Sequence, residues 1–290
     1  MSVPQPIRRS VTPDVQGLRV PERTVALLRD LVESQIGVRY DDDRLDLLRD
    51  RLAPLAIERG FDSLLDYYYL LKYDATAEAE WRRVMDALSV QETYFWREAD
   101  QFRALATVIM PRLAAAGRPI RIWSVPCASG EEPLSIAMAL EDAGWFGRAD
   151  IEIHASDYSE LALSRVRAAR YGRRAFRQLS DPMKEKYFTP IPGGDLWTPK
   201  PELSRRISSW SRVNIVNPLD TLAHDRSDVI FCRNLFIYFS QSRVRDVVTR
   251  LAAMMPSPGY LCVGAAESLL RLGTIFELQD LGGAYVYVKS

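Results

Sequence analysis

The chain has 290 residues, 47% hydrophobic and 26% charged, which suits a soluble protein of one moderate domain plus a smaller one. Lys+Arg and Asp+Glu both number 38, so the formal net charge is zero and gives no bulk attraction to nucleic acid or an anionic membrane. Three widely spaced cysteines, Cys127, Cys232 and Cys262, without a Cys-x-x-Cys spacing indicate neither a disulfide framework nor a zinc site, and no metal is expected.

Residues 1–20 carry Pro4, Pro6 and Pro13 among polar residues without period and read as a flexible leader. They lack an apolar core of signal-peptide length, and no run of the chain is long and apolar enough to span a bilayer. The default location is the cytoplasm, with no direct membrane insertion. A helical domain is expected over 21–100, its periodic pattern running from Glu22 to about Ala87. Leu45, Leu48, Leu52 and Leu55 form one stripe, with Gly60 as a stop, and Leu64, Tyr68, Leu71 and Trp81, Met85, Leu88 repeat the spacing.

The second domain is expected over 101–290. Strands are predicted at Ile120–Val125, Ile151–Ala155, Val229–Cys232, Tyr260–Val263 and Ala284–Val288. Between them lie helices from about Glu132 to Asp142, from a Ser159 cap to about Arg170, and after Ser240, where Val244, Val247, Val248 and Leu251 face inward. The alternation implies a mostly parallel sheet with right-handed crossovers. Residues 172–212, rich in Arg, Pro, Ser and Gly, interrupt it. A structureless loop of that length is unusual in a compact domain, so a small inserted subdomain with short antiparallel strands is expected.

Four segments carry chemistry. After the first strand, Gly130 allows a close backbone approach, and Glu131 and Glu132 open a helix. Two carboxylates there repel a phosphate and suit a cationic ligand, or they are an ordinary acidic first turn. Asp157, at the tip of the second strand, can accept from both ribose hydroxyls of an adenosine cofactor or can cap the turn. The run Gln91-Glu92-Thr93-Tyr94-Phe95-Trp96-Arg97-Glu98 stands where the helical and α/β patterns meet; it packs aromatics or borders a ligand cleft. Arg233, Asn234 and Tyr238 leave a buried strand, where side chains face the ligand crevice or satisfy local backbone groups.

Together these segments resemble the CheR family of chemotaxis-receptor methyltransferases, from roughly Leu45 to Val288. The motifs are Leu88–Glu98, Arg121–Pro133 with its single glycine before Glu131-Glu132-Pro133, Ala155-Ser156-Asp157, Val213-Asn214-Ile215 and Phe231–Phe239. The resemblance implies a small all-helical N-terminal domain, then an α/β domain of methyltransferase type, with a mostly parallel sheet, helices on both faces and a small inserted β-subdomain. It implies S-adenosylmethionine as cofactor, S-adenosylhomocysteine as product, and a glutamate side chain of a chemoreceptor or related signalling protein as acceptor. The cofactor residues it implies are Gln91, Thr93, Arg97, Gly130, Glu132, Asp157, Asn214, Ile215, Arg233 and Asn234, with Arg97 and Tyr238 near the reacting methyl.

The sequence departs from the family pattern in three places: Gln91 stands where many members have Asn, and Val125-Pro126 where many have two small residues. Pro54 and Glu58 interrupt a helix that is usually more basic and that is thought to meet receptor helices. The partners implied are cytoplasmic receptor helices or another signalling protein, not nucleic acid, and the protein is expected to be a monomer. Two alternatives remain: a methyltransferase with a different acceptor, and a non-catalytic module that keeps the cofactor pocket.

Overall fold

The computed structural model describes residues 17–21 and 23–290. Most of the leader expected over 1–20 therefore lies outside the described residues, as does Glu22. Residues 17–20 are not a free tail: the Arg19 N–H donates to the Asp62 carbonyl (2.8 Å), and its carbonyl accepts from Leu64 (2.9 Å). The chain divides into two compact units. One comprises the residues up to Ser34 with Arg39–Leu88, and the other Gln35–Val38 with Ser89–Ser290. The division falls after Leu88 rather than at 100, because the segment from Ser89 onward takes its contacts from the second unit.

The first unit is built of helices α1 (Thr24–Ile36), α2 (Leu45–Glu58), α3 (Leu64–Tyr73) and α4 (Ala77–Leu88). In α2, Leu48, Leu52 and Ala56 recur every four residues and are fully buried. The helix ends where Gly60, at φ +81°, lets its own N–H reach the Ile57 carbonyl and that of Phe61 reach Ala56. Pro54 sits inside α2, and Ser63 caps α3 by accepting from the Leu65 N–H. On α4 the buried apolar positions are Trp81, Val84 and Leu88, so Val84 takes the place expected for Met85.

The second unit opens with α5 (Ala99–Ala104), a π-helical turn (Leu105–Ile109) and α6 (Met110–Ala114), none of them expected from the sequence pattern. The wide turn ends two residues before Pro111, whose ring cannot follow a regular α-turn without striking the carbonyl four residues back. Strand β1 (Ile120–Ser124), helix α7 (Glu131–Asp142), strand β2 (Ile151–Asp157) and helix α8 (Glu160–Ala168) follow. Next come β3 (Tyr171–Gly172), α9 (Asp181–Tyr187), β4 (Phe188–Pro190), β5 (Leu196–Pro199) and α10 (Pro201–Ser204). The chain then runs through β6 (Ile207–Arg212), α11 (Pro218–Thr221), β7 (Val229–Phe231), α12 (Gln241–Met254), β8 (Gly259–Cys262), β9 (Glu277–Asp280) and β10 (Tyr285–Lys289).

Seven strands form one sheet in the order β6-β2-β1-β7-β8-β10-β9, parallel from β6 to β8, with β10 and β9 antiparallel. Both faces are buried. Ile120, Ile122, Val229, Phe231, Tyr260 and Cys262 join α5–α8 in one core. Their alternates Trp123, Ile230, Leu261 and Val263 join α12 in the other.

The stretch 172–212 proves to be two things. Strands β3, β5 and β4 form a separate antiparallel sheet, the expected insertion. Strand β6 is not part of it but pairs in parallel with β2 at the edge of the main sheet. Its sequence, Ile-Ser-Ser-Trp-Ser-Arg, has no apolar alternation to announce a strand. Backbone pairing with β2 is reinforced by Ser208, which accepts from the Ile153 N–H, and by Ser209, 2.7 Å from His154.

Candidate active site

The chain fills the sheet outward from β1 in both directions, first through β2 and later through β7 and β8. The order reverses between β1 and β7, and ligands of such sheets sit beyond the carboxyl ends of the strands at that point. Two loops leave there, 125–130 after β1 and 232–239 after β7. Backbone bonds stitch the first to its neighbours: Val125 N–H to the Phe231 carbonyl, and Cys127 N–H to the Ser156 carbonyl, both at 2.8 Å. The Ala128 N–H donates to Asp157 Oδ2 at 2.9 Å, while Asp157 Oδ1 accepts from the Ser159 N–H at 2.8 Å.

The centre of the site is Arg233, whose side chain is 1% exposed. Its guanidinium meets Glu132 and Glu98, each at 3.1 Å, and donates to the Arg97 carbonyl at 2.7 Å. Its Nε, also buried, has no hydrogen-bond partner. Glu132 accepts from Ser124 Oγ at 2.7 Å. Burial pushes the Glu132 carboxyl upward from its ordinary value, and Arg233 and Ser124 pull against it. Glu98 and Glu132 flank this one guanidinium, and the Arg97 guanidinium lines the same cleft.

Thr93, Tyr94, Arg97, Ala128, Glu132, Arg233 and Asn234 line one cleft together with Pro126 and Phe102. The Arg97 guanidinium donates to the Glu92 carbonyl at 3.1 Å and lies over the Tyr94 ring at 5.5 Å. Phe95 fixes this segment: it is fully buried, its N–H donates to Ala175, and the rings of Tyr171, Phe176 and Phe188 lie 4.7–5.1 Å away. Four non-glycine residues at or beside the cleft have positive φ: Trp96 (+67°), Glu98 (+56°), Ala128 (+46°) and Asn234 (+59°). Such conformations cost free energy and persist where surrounding bonds over-determine them, which is characteristic of functional sites.

The residues present fit S-adenosylmethionine: the Glu132 and Asp157 carboxylates suit its ammonium and its ribose hydroxyls, and the Arg233 Nε is a buried donor without an acceptor. The comparisons agree. Residues 91–282 match the family model of the CheR methyltransferase SAM-binding domain, and residues 23–89 that of the CheR methyltransferase all-alpha domain. The chain belongs to the CheR methyltransferase family. It is 32% identical over 261 residues to chemotaxis protein methyltransferase 1 of Vibrio cholerae, covering 88% of this chain and 93% of that protein. With chemotaxis protein methyltransferase 1 of Pseudomonas aeruginosa the identity is 30% over 269 residues, 90% of this chain and 96% of the relative. With a probable biofilm formation methyltransferase of Pseudomonas putida it is 34% over 266 residues, 89% of this chain but 60% of the relative. As a CheR methyltransferase, this protein uses S-adenosylmethionine as its cofactor.

Of the site residues that the family resemblance implies, Thr93, Arg97, Glu132, Arg233 and Asn234 come together at the cleft. Asp157 joins them through its bond to Ala128. The Gln91 side chain turns instead to the start of α8, donating to Ser159 Oγ at 2.7 Å and accepting from Arg165 at 2.7 Å. Asn214 donates to the Gln35 carbonyl at 2.8 Å, and Ile215 is buried in the α12-side core; neither lines the cleft. Tyr238 is half-buried on the turn Phe236–Tyr238 and does not line it either.

Gly130 packs against protein side chains on the side a Cβ would occupy. It has φ +97°, and a Cβ there would lie 3.1–3.3 Å from Trp210, Tyr171 and Val166, so protein side chains occupy the space. Glu98 and Ser124 are contacts of the Arg233–Glu132 pair that sequence reasoning did not single out. Glu98 was visible only as a charge in an aromatic run, and Ser124 only as a strand residue. The three cysteines are buried, and burial pushes each thiol up, that of Cys262 to about 12, so none supplies a thiolate.

Proposed function

We propose that this chain transfers a methyl group to a glutamate side-chain carboxylate of a chemoreceptor or related signalling protein, giving a glutamyl methyl ester and S-adenosylhomocysteine. The observation that carries this reading is the half-buried Arg97 guanidinium lining the same cleft as the buried Glu132–Arg233 pair. It offers a fixed cation to a carboxylate acceptor beside a site suited to a cationic cofactor. The relatives named as chemotaxis protein methyltransferases support the same acceptor class. The biofilm-associated relative favours a second signalling context with the same chemistry.

The cofactor supplies an electrophilic methyl on a sulfonium. Thr93, Glu132, Asp157, Arg233 and Asn234 would hold it. No general base is required, because a glutamate with an ordinary pKa of about 4.3 is already ionised at neutral pH. Charge disappears toward the transition state, so exclusion of water by Phe102, Pro126 and Tyr94 favours the step. Arg97 aligns the carboxylate. The protein works as a monomer in the cytoplasm on the cytoplasmic helices of its partner.

The test is incubation of the purified chain with labelled S-adenosylmethionine and receptor-containing membranes, followed by mild alkali. Label released as methanol supports a carboxyl ester; alkali-stable label excludes it. In the same assay Asp157→Ala should weaken cofactor affinity by about 1.5–3 kcal/mol through loss of charged hydrogen bonds. Unchanged affinity by calorimetry removes Asp157 from the site.

A further inference from the structure

We infer that Glu267, on the loop that follows β8, is the positioning residue that holds the β7 exit loop in its cofactor-binding shape. The inference rests on the reading that Arg233 and Asn234 hold the cofactor. Glu267 is 8% exposed, yet its carboxylate accepts from four backbone N–H groups. Oε2 takes those of Asn234 (2.8 Å) and Gly264 (2.6 Å), and Oε1 those of Phe236 (2.6 Å) and Ile237 (3.3 Å). Charge-assisted bonds of this kind are about twice as strong as neutral ones. Phe236 and Ile237 begin a 3₁₀ turn whose first N–H groups have no partner within it, so Glu267 replaces the missing acceptors.

The arrangement explains how Asn234 keeps φ +59°. A left-handed residue at a strand exit is held when its own N–H is committed, and Glu267 commits it. The same geometry sets where Arg233, one residue earlier, leaves the strand toward Glu132 and Glu98. Gly264 completes the clamp: a Cβ there would come within 2.6 Å of Asn234 Nδ2 and 2.9 Å of Glu267 Oε2. Its glycine is required by this close approach, and its φ is not in the left-handed region. Glu267 lies away from the cleft lining itself, so it acts through Asn234 and not on the reacting atoms.

The experiment measures S-adenosylhomocysteine affinity by calorimetry for the full chain and for Glu267→Gln, Asn234→Ala and the double variant, with circular dichroism to confirm folding. Glu267→Gln leaves one oxygen for part of the clamp and turns an NH₂ group against the remaining N–H groups. It should weaken binding on the order of 10-fold in folded protein. The double variant should bind no worse than about the weaker single one, because both changes disturb one contact. Gly264→Ala, which displaces the carboxylate without removing it, should weaken binding in the same direction and decides the matter if Glu267→Gln does not fold. Wild-type affinity in folded Glu267→Gln, additivity in the double variant, or wild-type affinity in Gly264→Ala overturns the inference. Wild-type affinity in Asn234→Ala is a different result: it removes Asn234 from the cofactor site, and the inference goes with it.

Discussion

Two arginines make the same pair of contacts in opposite surroundings. Arg49 on α2 meets Asp46 at 2.8 Å and Asp50 at 2.9 Å with its side chain 37% exposed. Arg233 at the exit of β7 meets Glu98 and Glu132, both at 3.1 Å, with 1% exposed. The distances would rank Arg49 as the stronger pair. Burial reverses the order of consequence. Water screens Arg49 and solvates whatever a mutation leaves behind, whereas an unpaired carboxylate beside Arg233 would be stranded in a low-dielectric site. Contact lengths therefore say little about which charges matter here; what surrounds the pair decides.

The largest expected effect follows from removing Arg233. Arg233→Met should cost about 3–5 kcal/mol of stability and abolish cofactor binding, because Glu132 and Glu98 lose their shared cation. Denaturant titration and calorimetry measure both, and a cost under about 1 kcal/mol would put Arg233 in the same class as Arg49.

His224 extends the comparison to a buried titratable group whose ring nitrogens have no hydrogen-bond partner. It is 3% exposed, stacks on Trp123 at 4.2 Å, and neither ring nitrogen has a hydrogen-bond partner. Burial, then nearby His154 and Arg121, push its pKa down from 6.5 to about 4. The unfolded chain binds this proton first as pH falls, so the contribution of neutral His224 is complete above about pH 6.5 and is lost on the way to pH 4. The loss should be about 3 kcal/mol across that window, and His224→Phe should flatten the stability–pH curve there. A profile identical in the variant would show that another group carries the acid sensitivity.

The smallest effect closes the comparison. Arg49→Ala should cost no more than about 1 kcal/mol, less at high salt, and should leave cofactor affinity unchanged. A cost equal to that of Arg233→Met would mean that burial is not the deciding variable.

Much of this was legible in the amino-acid order. Strands such as Val229–Phe231 are continuous apolar runs, and α2 repeats its buried leucines at helical spacing, so local patterning and core burial agree. Ser159 and Ser240 cap their helices as their side chains allow. The cleft residues Arg97, Glu132, Arg233 and Asn234 stood out through their motifs taken together in order; each alone read at least as well as packing, capping or surface charge. Strand β6 did not stand out, since its serines carry no apolar signal and its pairing comes from the neighbour β2.

The sequence by itself thus determined most of the helices and buried strands, through side-chain patterning read locally, and the family the chain belongs to, through motifs that stand in order. Only the tertiary structure decided which charges are buried together, that Gly130 makes room for Trp210 and Tyr171, and that Glu267 gathers the backbone of a loop 30 residues earlier in the chain. Partners so distant in sequence meet only when the parallel sheet sets β7 beside β8, and the worth of a charge is fixed by the dielectric surroundings that this packing creates.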